Sequence, residues 1–68
     1  MIKVKYRLKE YRLKNKLTQV EIASKLSCTQ RAYSRYENHE RSIPIEYLVL
    51  LSRIYNVTID DLLDIEEN

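Results

Sequence analysis

Gln30, Arg31, Ser34 and Arg35 fall within six consecutive residues, at spacings that put all four on the solvent side of a helix. Their amide, guanidinium and hydroxyl groups present paired donors and acceptors, which suits recognition of a polar surface rather than the making of bonds. Bond-making chemistry is poorly supplied elsewhere: one histidine and one cysteine offer no nucleophile and base acting together, so no enzyme is expected. Asp60, Asp61 and Asp64 have the composition of a cation site, yet they sit at the start of a helix, where acids offset the helix dipole. No Cys/His spacing fits zinc, and neither a metal nor another cofactor is expected. Six tyrosines without Phe or Trp could stack single-stranded bases, but Tyr11, Tyr33, Tyr36 and either Tyr47 or Tyr55 recur on core-facing helical positions. They read as core or interface filler.

The elements that must hold the polar quartet follow from periodicity and capping. The chain has no glycine and one proline, and period-two alternation is scarce, so an all-α fold is expected. Val4, Leu8 and Tyr11 step by four and three and predict a first helix over residues 3 to 15. Thr18 followed by Glu21 is a capping box that opens a short second helix ending near Leu26, with Ile22, Ala23 and Leu26 as its apolar stripe. Ser27 and Cys28 turn the chain, and Thr29 caps a third helix that buries Tyr33, Tyr36 and the stem of Glu37. Pro44 suits the first turn of the most apolar helix, residues 44 to 55, and Thr58 with Asp61 caps a last one whose apolar face is Ile59, Leu62, Leu63 and Ile65.

At 68 residues there is room for one domain, residues 1 to 68, and a core this small makes dimerisation worth expecting. A lone Cys28 closes no internal disulfide and reads as buried filler in a reducing compartment. Nothing resembles a signal peptide and no apolar run approaches the roughly 20 residues of a membrane span, so a cytoplasmic protein with no membrane contact is expected. The net charge of +2 hides an asymmetry. Up to Tyr36, ten Lys/Arg stand against Glu10 and Glu21, a formal +8; from Glu37 onward Arg41 and Arg53 stand against eight acids, a formal −6. A basic half joined to an acidic half suggests one surface that faces a polyanion and another that does not.

Two short helices joined by a tight turn, the second presenting polar side chains, can set a recognition helix into a DNA major groove. Leu17-Thr18-Gln19, then Ala23 and Leu26, then Thr29-Gln30, then Tyr36-Glu37-Asn38 with Pro44 beyond, resembles the Cro/C1-type helix-turn-helix family of phage repressors and XRE-like bacterial regulators. The resemblance spans about residues 5 to 64 and implies a compact five-helix bundle of the lambda-repressor-like type, with the helix-turn-helix in helices 2 and 3. It implies base contacts from Gln30, Arg31, Ser34 and Arg35, and the chemistry agrees: Gln can pair bidentately with adenine and Arg with guanine, each worth about 1–3 kcal/mol of discrimination. It implies phosphate contacts from Gln19, Thr29 and Asn38, to which His39 and the Tyr33 hydroxyl are added as candidates. It also implies an ion pair between Arg12 and Glu37 that orients the recognition helix.

Two departures stand out. The family usually has Gly where this chain has Ser27 and again where it has His39, so a positive φ there would strain the backbone unless the turns close differently. The expected protein is thus a transcriptional regulator binding double-stranded DNA, a repressor acting as a homodimer through Ile59, Leu62 and Ile65. No small-molecule ligand is evident. The alternative is a protein-interaction module, an antitoxin-like partner or adaptor that uses the same fold to hold a protein partner.

Overall fold

The computed structural model describes residues 2–67. Strand β1 (Ile2–Tyr6) leads into five helices, α1 (Leu8–Lys14), α2 (Gln19–Leu26), α3 (Gln30–Glu37), α4 (Ile45–Ile54) and α5 (Ile59–Leu62), and strand β2 (Leu63–Glu67) closes the order. The five helices stand where caps and apolar stripes put them, and two ends differ. Residues 2–6 are not helical but pair antiparallel with β2, in a register that sets Val4 opposite Ile65 and Tyr6 opposite Leu63. The last helix is a single turn, after which Leu63 turns extended at φ −83°, ψ 141°. The physical reason is alternation: Ile-Lys-Val-Lys-Tyr and Leu-Asp-Ile-Glu each alternate apolar and charged residues, and each finds its hydrogen-bonding partner only at the other end of the chain. Arg7 ties the seam, its N–H donating to Leu62 O at 2.8 Å and its Nε to Leu63 O at 3.1 Å.

The core gathers one or more residues from every helix. Leu8, Ile22, Tyr33, Leu51 and Leu62 are fully enclosed, each side chain contributing about 1.5–3 kcal/mol by leaving water. Leu62 therefore points into the monomer, which removes it from the self-association face expected at the C-terminal end; Ile65, by contrast, is strand and half exposed. Tyrosines serve as filler: Tyr11 stacks on Tyr55 at 5.7 Å between ring centres, and Tyr36 meets Tyr47 edge-on at 6.0 Å. No helix among the described residues is long and apolar enough to cross a membrane.

Four helices end without glycine in the same way. Lys16, Ser27, His39 and Asn56 adopt φ of 57°, 58°, 63° and 56°, the left-handed region that costs a side-chain-bearing residue about 1–2 kcal/mol. At each end the left-handed residue donates three positions back and its successor five back, as in Cys28 N–H to Ala23 O and Glu40 N–H to Arg35 O. Both Gly-for-side-chain departures noted in the sequence thus keep a positive φ.

Candidate nucleic-acid interface

Helices α2 and α3 pack against each other, and each begins with a threonine cap. Thr18 Oγ1 accepts from Glu21 N–H at 3.1 Å while Glu21 Oε1 accepts from Thr18 N–H at 3.0 Å. That reciprocal bond from Thr18 holds the Glu21 carboxyl below the usual carboxylate range. The box leaves the Gln19 and Val20 N–H groups ahead of the first intrahelical bond, at the positive end of α2. Thr29 Oγ1 accepts from Ala32 N–H at 3.1 Å, which keeps its own hydroxyl proton available to donate.

Behind α3 lies a buried polar cluster. Arg12 on α1 grips Glu37 at the last turn of α3 with two parallel bonds, Nε to Oε2 at 3.0 Å and Nη2 to Oε1 at 2.9 Å. Its remaining nitrogen, Nη1, donates to Leu17 O at 2.9 Å, so one guanidinium fixes the entry to α2 and the end of α3 together. Side-chain exposure is 11% for Arg12 and 3% for Glu37, so neither charge has an alternative partner in water. Burial pushes the Glu37 carboxyl up, but the bonds from Arg12 outweigh it, with the Gln19 amide adding to them, and hold it below the usual range. The hydrogen bond to Glu37 raises Arg12 in turn. The ion pair expected between these residues is present.

Tyr33 corrects the sequence reading. It is wholly buried, its hydroxyl beside the Glu37 carboxylate but outside hydrogen-bond geometry, and it cannot reach a phosphate. Burial first, then the neighbouring carboxylate, raises its phenol well above the usual tyrosine range, and burial with the same carboxylate pushes Tyr55 up to about 12. Cys28, half-buried against the core, is raised by burial alone, which suits filler rather than a reactive thiol.

On the outer side of α3, Gln30 and Arg31 are exposed and Ser34 and Arg35 half-buried. Among the described residues neither guanidinium is committed to an internal ion pair. Asn38 ends α3 at φ −85°, ψ 2°, its amide donating to Ser34 Oγ at 3.4 Å, and the left-handed position falls one residue later on exposed His39. Gln19 is half-buried, and one N–H of its amide reaches Glu37 Oε1 at 3.4 Å. That link was not foreseen, since Gln19 and Glu37 stand 18 residues apart with no shared motif to join them. The second N–H of the same amide remains to donate elsewhere. Among the described residues no group of His, Cys, Asp or Glu side chains could hold a metal ion.

The sequence matches the family model described as helix-turn-helix over residues 8–62. Three similar proteins come from Bacillus subtilis (strain 168). The uncharacterized HTH-type transcriptional regulator YobD is 32% identical over 62 residues, covering 91% of this chain and 55% of its own. The uncharacterized HTH-type transcriptional regulator YqaE is 41% identical over 61 residues, 90% of this chain and 53% of its own. The HTH-type transcriptional regulator ImmR is 43% identical over 61 residues, 90% of this chain and 48% of its own. The chain therefore spans about half the length of the curated relatives it matches. With two capped helices packed as recognition elements require, and with the family pattern matched over most of its length, the chain belongs to the Cro/C1-type (XRE) helix-turn-helix family.

Proposed function

We propose that the chain is a sequence-specific regulator of transcription that binds double-stranded DNA and acts as a homodimeric repressor, without catalytic activity. The observation that carries this reading is the two-sidedness of α3: its inner side is locked by the Arg12–Glu37 pair, while Gln30 and Arg31 stand exposed at the opposite end from that lock. A rigid helix with unengaged amide and guanidinium groups is what direct readout needs. In this reading Gln30, Arg31, Ser34 and Arg35 contact base edges, Gln19 and Thr29 with the α2 N-terminus hold phosphates, and Asn38 and His39 hold the backbone beyond. A promoter held on two half-sites about 34–36 Å apart is closed to polymerase. A DNA target and the free thiol of Cys28 both fit the cytoplasm.

The test is selection of duplexes from a random library at about 150 mM salt, beside the double substitution Gln30→Ala, Arg31→Ala. A two-fold-symmetric motif that degrades in the variant is the expected result. Recovery of no motif, with residual binding lost on modest addition of salt, would overturn it and turn attention to the protein-interaction alternative.

A further inference from the structure

Gln30, Ser34 and Asn38 stand four residues apart and form one row along α3. Ser34 is half-buried, and its Oγ accepts from the Asn38 amide at 3.4 Å. A helical serine commonly spends its proton on a carbonyl in the turn behind it. Ser52 on α4 does so, donating to Val49 O at 2.7 Å. Ser34 does not: among the described residues its proton meets no acceptor. Asn38 thus holds the oxygen of this hydroxyl and leaves the proton for whatever covers α3. Arg31 and Arg35 flank it with donors alone, since a guanidinium accepts nothing. The one carboxylate of α3, on Glu37, is buried behind it.

We infer that Asn38 is a specificity-determining positioning residue: it fixes the Ser34 hydroxyl as a donor, so that beyond Gln30 the α3 surface selects keto bases, guanine and thymine, over amino bases, adenine and cytosine. This rests on the DNA-binding reading above and sharpens it. A serine with no partner of its own reads either class, because its hydroxyl both donates and accepts. In the major groove guanine O6 and thymine O4 accept, whereas adenine N6 and cytosine N4 donate. With Asn38 on its oxygen, Ser34 completes its bonding against a keto oxygen. Accepting a base amine as well would leave the Ser34 proton desolvated and unpaired, the costly outcome for a polar group. Gln30 is the place on this surface where a carbonyl receives a base amine. The second N–H and the carbonyl of Asn38 remain for the backbone contact assigned above.

The test is selection from a random duplex library at about 150 mM salt with wild type, Ser34→Ala, Asn38→Ala and Asn38→Asp, each shown folded by circular dichroism. Asn38 is exposed at φ −85°, an angle that Ala and Asp adopt freely. The motif position whose preference disappears in Ser34→Ala is the one that Ser34 reads. There wild type should favour keto over amino bases by about three- to tenfold, the worth of one hydrogen bond. Asn38→Ala, which adds no charge, should abolish that preference while the rest of the motif stays. Asn38→Asp should reverse it, because a carboxylate takes the Ser34 proton and leaves the oxygen to accept from adenine or cytosine. A wild-type preference for amino bases there, no position sensitive to Ser34, or Asn38 variants that weaken all duplexes alike with the motif unchanged refutes the inference and leaves the DNA-binding reading standing. Recovery of no motif by wild type refutes both.

Discussion

Removing one partner of the Arg12–Glu37 pair should take away a large part of the protein's stability, whereas removing both should not. A 68-residue domain has about 3–10 kcal/mol of stability at the usual 0.05–0.15 per residue. In Glu37→Leu, the Arg12 guanidinium keeps its bond to Leu17 O but loses both bonds to the carboxylate while only 11% exposed. Stranding a buried charge costs about 3–5 kcal/mol, from about a third of that margin to all of it. Arg12→Met alone strands Glu37 at 3% exposure and should do the same. The double variant Arg12→Met, Glu37→Leu buries two well-shaped apolar side chains instead, and should fall within about 1–2 kcal/mol of wild type or exceed it. Urea denaturation followed by circular dichroism gives all four stabilities. The pair also sets a pH dependence. Glu37 is held below its unfolded value, so its contribution is complete above the roughly 4.3 of an unfolded glutamate and is lost as pH falls through the folded value beneath it. The double variant should lose that acid-side slope. Single variants that each cost under 1 kcal/mol, or a double variant as unstable as the worse single, would refute the reasoning.

Two further outcomes follow from backbone and core. Ser27→Gly and His39→Gly should each stabilise the chain by about 0.5–1 kcal/mol, the relief of a left-handed side chain less the added freedom of an unfolded glycine, read as a rise in thermal midpoint; an unchanged or lower midpoint counts against the strain. Tyr33 and Tyr55 are raised above the ordinary phenol, Tyr55 to about 12, so stability is whole below pH 10 and is lost above it as the unfolded chain ionises first. In a spectrophotometric titration two of the six tyrosines should resist ionisation beyond pH 11 until the fold opens, and Tyr33→Phe should remove one of them.

What could be read in advance was local. Thr18 with Glu21 and Thr58 with Asp61 announce helix starts because each box closes within four residues, and both are closed in the fold. Arg12 and Glu37 are far apart in sequence, and their pairing was legible only through family resemblance. The terminal ribbon was open to two readings. Val4, Leu8 and Tyr11 satisfy a helical period, while Ile2, Val4 and Tyr6 satisfy a strand period on overlapping residues. Nothing nearby decides between them. The decision belongs to residues 63–67, which reach Tyr6, Val4 and their neighbours only after five helices have folded back to bring the ends together. Tyr33 misled for a related reason. Its phenol has one polar atom on an otherwise apolar ring, and periodicity says that the residue faces inward without saying whether that atom emerges. Here it stops against Glu37, the carboxylate that also takes both bonds from Arg12 and one from Gln19. One buried charge thus joins the start of α2, the end of α3 and the interior of α1. A side chain at the α2 N-terminus and the helix bearing Gln30 and Arg31 are therefore held in one frame, and a shift in either must be felt at Glu37.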